Sequence, residues 1–385
     1  MIPYGHQEIL PQDIEAVTKV LQSDWLTQGP WVEKFEEAVA TYCQAKYAVA
    51  CSNATAALHL ACLALGIGEG DIVWTSTNTF VASANCARYC GATVDFIDIC
   101  SKTYNINIDE LDKKLQLAEK NNRLPKLIIP VHFAGQSCDM HALKQLANKY
   151  KFYIVEDASH AIGGKYRNEP VGNCRYSDIT VFSFHPVKII TTGEGGMALT
   201  NNNNLAKKIK LLRTHGVTRD TELMETTSHG DWYYQLINLG FNYRITDLQC
   251  ALGYEQLQRL NQYVNQRKKI AEKYQNALSG LPLLLPSIDN KSDSAWHLYV
   301  VQIDKNRTKK TRSEIFHYLR EAEIGVNVHY IPVHTQPYYQ KQGFKVGDFP
   351  VAENYYENTL TLPMYSSMSN KDFDFIVTKL KGFSW

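Results

Sequence analysis

Seven short apolar runs recur along the first 200 residues: YAVAC (47–51), DIVWTS (71–76), ATVDFID (92–98), KLIIPVHF (126–133), FYIVED (152–157), ITVFSF (179–184) and GMALT (196–200). Between several of them lie helical patterns such as ATAALHLACLALG, FVASANCARYCG, IDELDKKLQLAEK and MHALKQLANKYK. A strand that is apolar on both faces must be covered on both faces. Alternation with helices supplies that cover through crossover connections. The pattern therefore predicts an α/β fold with a mostly parallel seven-stranded sheet. A long helix is expected from Thr246, a capping residue, to Leu278, where LSGLP breaks it. The remainder mixes strand patterns (AWHLYVVQI, GVNVHYIPV) with helical ones (RSEIFHYLREAE, SNKDFDFIVTKLKG) and reads as a smaller α+β layer. The expected division is a large unit over 1–250 and a small one over 251–385, linked by the long helix.

Forty basic residues balance thirty-nine acidic ones, for a net charge of +1. No long-range field gathers nucleic acid or an anionic membrane, so an anionic ligand has to be held by a local site. No apolar run approaches the length of a membrane span, and the first residues lack a secretory pattern. The expectation is a cytoplasmic chain. Its nine scattered cysteines, without a Cys-x-x-Cys pair, read as reduced thiols with no metal framework.

In open α/β sheets ligands collect beyond the carboxyl ends of strands, and three such places carry polar residues. In ACSNATAALHL a helix begins near Ala54 and Thr55. It offers N–H groups to a phosphate, although taken alone the stretch is better explained as an ordinary turn capped by Ser52 or Asn53. In FYIVEDASHAIGG, Asp157 and His160 follow a strand, where a carboxylate suits a cationic ring nitrogen and a histidine suits a nearby oxygen. In FSFHPVKIITTGEGG, Lys188 follows a strand between apolar neighbours, where a partly desolvated amine becomes a nucleophile or base. A phosphate cradle, a carboxylate and an amine together match what pyridoxal phosphate requires. No G-x-G-x-x-G, Walker A or G-x-S-x-G segment competes, and HYIPVH lacks metal-ligand spacing.

The motifs SDWLTQGP (23–30), SNATAALH (52–59), TNTFVASAN (77–85), PVHFAGQSCDM (130–140), VEDASHAIGG (155–164), FSFHPVKIITTGEGG (182–196) and NYRITDLQCALG (242–253) stand in one order over nearly the whole chain. In that order the chain resembles the DegT-type sugar-nucleotide aminotransferases, within fold type I of the pyridoxal phosphate enzymes. The resemblance implies an aspartate-aminotransferase-like fold with pyridoxal 5'-phosphate as cofactor and no metal. It implies that Lys188 is the lysine that bonds the cofactor's aldehyde and carries the proton, with Asp157 as partner of the pyridine nitrogen. Ala54, Thr55 and Ser183 become phosphate ligands, Phe80 the aromatic that covers the ring, and His160 the neighbour of its phenolic oxygen, a place where many members have glutamine. Asn242 matches a residue that reaches across from a second subunit, which implies a homodimer with shared sites. Tyr4, Asp24, Trp25, Leu26, Thr27, His329, Tyr330 and Tyr338 match the nucleotide-sugar pocket. The implied reaction moves an amino group from L-glutamate to C4 of a UDP-linked 4-keto-6-deoxy-N-acetyl sugar. Other 4-keto sugars or nucleotides, and a non-catalytic cofactor-binding regulator, are the alternatives. A dehydratase on the same fold is disfavoured, because such enzymes resemble this family with a histidine in place of Lys188.

Overall fold

The computed structural model describes residues 1–385. All seven apolar runs form strands of one sheet: β1 (Tyr47–Cys51), β2 (Ile72–Ser76), β3 (Thr93–Ile97), β4 (Leu127–Ile129), β5 (Tyr153–Asp157), β6 (Ile179–Ser183) and β7 (Gly196–Thr200), in the order β1-β7-β6-β5-β4-β2-β3. β7 alone runs against its neighbours, and the remaining pairings are parallel.

Side-chain alternation sends each strand into two cores. Val49 and Cys51 pack with α3 (Ala54–Ala64), α4 (Ala82–Tyr89) and α7 (Asn203–Arg213). Ala48 and Ala50 pack on the opposite face with α2 (Pro30–Cys43) and α8 (Asp247–Gln258). Towards the other end of the sheet, α5 (Ile108–Lys120) and α6 (Met140–Tyr150) cover Trp74, Ile128 and Ile154. Four of the helices that follow strands begin on side-chain caps: Asn53 on α3, Asn107 on α5, Asp139 on α6 and Asn202 on α7. α1 (Pro11–Leu21) lies against α8.

The expected single helix over 246–278 is two. Thr246 and Gln249 form a capping box for α8, but Arg259 leaves helical geometry (φ −104°, ψ 3°) before α9 (Leu260–Leu278) begins. The Arg259 guanidinium pairs with the fully buried carboxylate of Asp13 on α1 at 2.5 Å. Satisfying that buried charge stands against straight helix continuation at this point.

α9, α10 (Arg312–Glu321) and α11 (Asn370–Gly382) enclose a small antiparallel sheet of β8 (Leu283–Leu284), β9 (Tyr299–Ile303) and β10 (Thr359–Leu362) with its own apolar core. The GVNVHYIPV run is not a strand. Only Asn327 bridges to Thr361. Beyond it the Tyr330 N–H donates to the Asn78 side chain, and the Val333 N–H to the Thr77 carbonyl. Those bonds draw the segment off the small sheet and onto the large one. Residues 2–4 join the same seam: the Ile2 N–H donates to the Glu323 carbonyl, and the Tyr4 carbonyl accepts from Met364.

Candidate active site

The carboxyl ends of β1, β5 and β6 open on one cavity of about 900 Å3, room for a cofactor with a substrate beside it. Its floor includes the start of α3. Asn53 does cap that helix, accepting the Ala56 N–H at 2.8 Å. The cap leaves the N–H groups of Ala54 and Thr55 without an acceptor in the chain, which is the anion-binding condition of a helix start. Gly196, the first residue of β7, presses on this turn. A Cβ there would stand 2.4 Å from the Ala54 nitrogen, so glycine is what lets strand and helix start meet.

Asp157 ends β5, buried. Its Oδ2 accepts from Ser83 Oγ at 2.5 Å and its Oδ1 from the Ser159 N–H at 3.1 Å. With its hydrogen given to Asp157, Ser83 accepts from Thr79 Oγ1 at 2.7 Å. The two donors fix the plane of the carboxylate and leave further lone pairs for a cationic donor in the cavity.

Lys188 sits half-buried on the turn after β6, its N–H donating to the His185 carbonyl at 2.9 Å. Burial pulls its ammonium down to about 8, against the opposite influence of the Asp157 carboxylate. The amine is thus about half free near pH 8, where an ordinary lysine is almost wholly protonated. The sign follows: only the free amine attacks a carbonyl, so reaction of the apo-enzyme with pyridoxal phosphate should speed up as pH rises through about 8. At pH 7 it should run about tenfold below its plateau. Stopped-flow absorbance of the reloading reaction tests this, and a rate still climbing steeply at pH 10 would rule it out.

His160 is fixed as a neutral donor. The Ala134 N–H donates to its Nδ1 at 3.2 Å, which leaves the proton on Nε2, and Nε2 faces the Tyr330 hydroxyl at 3.0 Å. Burial first, then the Lys188 charge, holds the ring well below the usual histidine range. Tyr330 accepts this bond and keeps its own hydroxyl hydrogen for the cavity. Nearby, burial holds His329 down to about 3 and lowers His297 strongly as well. The wall facing Lys188 therefore carries uncharged imidazoles. Phe80, an apolar ring 58% exposed, stands in the same cavity, where it offers a face to a flat molecule.

Tyr4, Ala54, Thr55, Phe80, Asp157, His160, Ser183, Lys188, His329 and Tyr330 all line this cavity, as expected. The other expected residues do not. Asp24, Trp25, Leu26 and Thr27 lie exposed between α1 and α2, because Thr27 bridges to Thr246 and the Asp247 side chain binds the Gly29 and Trp31 N–H groups. Those bonds tie the loop to the start of α8, outside the lining of its own chain's cavity. Asn242 bridges to Thr214, and its neighbour Tyr243 takes the cavity position instead. The Tyr338 hydroxyl accepts from Arg88 Nε at 3.3 Å, also outside the lining. Thr79, Ser159, His185, Glu194, Tyr243 and His297 also line the cavity, and Ser83 stands behind Asp157, none of them marked as a site residue by its own sequence context. Thr79 and Ser83 are spaced four apart around the start of α4, but nothing local to them announces a partner 74 residues away.

The donor set fits pyridoxal 5'-phosphate, and with this sheet it defines the class: a pyridoxal-phosphate-dependent aminotransferase of fold type I. The sequence profile of the DegT/DnrJ/EryC1/StrS aminotransferase family matches residues 7–381, and the chain belongs to that family. It is 42% identical to the spore coat polysaccharide biosynthesis protein SpsC of Bacillus subtilis over 99% of this chain and 96% of that protein. It is 38% identical to the UDP-4-amino-4,6-dideoxy-N-acetyl-beta-L-altrosamine transaminase of Campylobacter jejuni, over 98% and 96%. Among solved structures, the aminotransferase PseC of Helicobacter pylori, involved in pseudaminic acid biosynthesis, superposes with a TM-score of 0.90 at 29% identity, covering 99% of this chain and 98% of that one. The protein is a sugar aminotransferase with pyridoxal phosphate as its cofactor. No helix is long and apolar enough to cross a membrane.

Proposed function

We propose that the enzyme transfers an amino group from L-glutamate to C4 of a UDP-linked 4-keto-6-deoxy-N-acetylhexosamine, the step that yields UDP-4-amino-4,6-dideoxy-N-acetyl-β-L-altrosamine on the way to pseudaminic acid. The observation that carries the transfer chemistry is the meeting of a desolvated amine, Lys188, with the oriented Asp157 carboxylate and the open α3 start in one cavity. The substrate assignment rests on 38% identity to the Campylobacter enzyme across nearly the full length. The somewhat higher identity to a spore coat protein keeps other nucleotide sugars as the alternative.

Bound pyridoxal phosphate supplies an aldehyde for amine exchange and an electron sink for the carbanion formed at the substrate carbon. The Ala54 and Thr55 N–H groups, with the Thr55 and Ser183 hydroxyls, hold the phosphate. Asp157 holds the positive charge on the ring nitrogen and so keeps the sink effective. His160, its Nε2 hydrogen given to Tyr330, would stand beside the phenolic oxygen and aim the Tyr330 hydroxyl hydrogen at it, and Phe80 would cover one face of the ring. Lys188, as a free amine, would carry the proton from the donor carbon to C4′ of the cofactor and, in the second half, from C4′ to C4 of the sugar. One group serving both halves of the exchange predicts ping-pong kinetics.

A homodimer with shared sites is part of this reading. The cavity lining holds one lysine and no arginine, whereas the phosphate and a nucleoside diphosphate sugar bring several negative charges. Asn242 and the exposed loop with Trp25 and Leu26, both outside their own chain's cavity, are assigned to the neighbouring subunit's site.

Incubation with glutamate and a panel of UDP-, dTDP- and GDP-4-keto sugars, with NMR of the products, tests the substrate. The UDP-N-acetyl sugar should turn over at least about tenfold more efficiently than the others, since discarding recognised polar groups costs a few kcal/mol. A dTDP or GDP sugar preferred by that margin would replace the assignment, and no glutamate consumption with any sugar would favour a non-catalytic role.

A further inference from the structure

Behind the cavity wall, Arg267 of α9 is buried with no carboxylate in ion-pair reach. Burial draws its guanidinium down to about 10, which leaves it charged at neutral pH. Its Nη1 donates to three backbone carbonyls, Trp296 at 3.3 Å and His297 and Met364 at 3.1 Å. Its Nε finds no acceptor. A buried cation without a counter-charge carries a desolvation cost that an apolar side chain of similar volume avoids, so what sets the arginine apart here is its hold on those carbonyls. His297 lines the cavity, and its ring packs 4.4 Å from that of His160.

We propose that Arg267 is a positioning residue for the transfer reaction: its hold on the Trp296 and His297 carbonyls clamps the turn Phe133–Gly135 against His160, and thereby fixes that ring as the Nε2–H tautomer. The assignment rests on the reading of His160 and Tyr330 as neighbours of the cofactor's phenolic oxygen.

The clamp is a continuous set of hydrogen bonds. The His297 and Leu298 N–H groups, each in a peptide unit whose carbonyl Arg267 holds, both donate to the Ala134 carbonyl, at 2.9 and 3.3 Å. The Ala295 N–H donates to the Gly135 carbonyl at 3.0 Å. Ala134 in turn gives its own N–H to His160 Nδ1 at 3.2 Å. It does so from φ 57°, a left-handed conformation that a residue with a Cβ rarely holds without support. Gly135 is packed so closely that a Cβ would stand 2.8 Å from the Trp296 nitrogen and 3.1 Å from the His160 carbonyl oxygen. Once released from the Ala134 N–H, the imidazole can carry its proton on Nδ1. Nε2 then accepts the Tyr330 hydroxyl hydrogen, and the cavity loses that donor.

The test is nitrogen-15 NMR of the histidine rings in the holoenzyme, with the His160 signal assigned by its loss in His160→Ala. The wild type should show the Nε2–H tautomer alone. Arg267→Lys keeps a cation but replaces the planar fork by a single ammonium, which cannot hold the same carbonyls. It should give a mixture of tautomers and lower kcat about tenfold, with KM for both substrates within about twofold. In the His160→Ala background the same substitution should cost less than about twofold, because its effect runs through that ring. Should Arg267→Lys fold poorly, Gly135→Ala disturbs the same turn from its other side and should mix the tautomers likewise. An unchanged Nε2–H signal in the variant that folds, or an equal loss of kcat in both backgrounds, overturns the proposal. Full turnover in His160→Ala overturns it too, but through the reading it rests on, and the NMR comparison tells the two failures apart.

Discussion

Lys188→Ala is expected to lose transamination by at least about 10³-fold, because it removes the nucleophile and the proton carrier in one substitution, and general acid–base catalysis alone is worth about 10²–10⁴. The near-ultraviolet and visible absorbance that marks cofactor bonded to the protein should vanish with it. The fold should survive. The Lys188 side chain makes no ion pair, its only recorded bond being through the backbone, and an ammonium lowered to about 8 by burial is not stabilising its surroundings. Circular dichroism and thermal melting separate this outcome from unfolding. Steady-state turnover within tenfold of the wild type, in a variant that melts normally, would remove Lys188 from the mechanism. Lys188→Arg should be nearly as inactive, since it keeps a cation but never a free amine.

Asp157→Asn should cost the second-largest loss, about 100-fold or more in kcat at saturating cofactor. The substitution is nearly isosteric, but one of the two oxygens becomes an amide nitrogen facing either the Ser83 hydroxyl or the Ser159 N–H, both of them donors. The residue also stops balancing a protonated ring nitrogen, so the electron sink weakens in the step where charge develops. A structural role alone would lower the melting temperature and leave kcat intact, because a packing residue does not touch the developing charge. Normal kcat with a lowered melting temperature would therefore reassign Asp157. A large drop in kcat with little change in melting supports its place opposite Lys188.

The features legible in the sequence were those written by near neighbours. The seven strands announced themselves because each is apolar on both faces. The starts of α3 and α8 carry capping residues whose partners lie three positions away. Lys188, Asp157 and Ala54 could be read as a set because each follows a strand, and parallel strands bring their carboxyl ends to one edge. The GVNVHYIPV run misled for the converse reason. Its composition suits a strand, but its N–H groups find Asn78 and Thr77 on the large sheet and not a strand of the small one.

By itself, then, the sequence determined the seven strands of the large sheet, its mostly parallel order, the family and the placing of an amine and a carboxylate at one sheet edge, since all of these depend on residue type and short-range spacing. Only the tertiary structure decided the finer chemistry. Ser83 meets Asp157 across 74 residues, and an Ala134 N–H 26 residues from His160 chooses that ring's tautomer. The tether to α8 keeps the Asp24–Thr27 loop away from its own chain's cavity. Hydrogen-bond direction and desolvation act over a few ångströms in space, and which residues come that close is set by strand order and crossovers, not by distance along the chain.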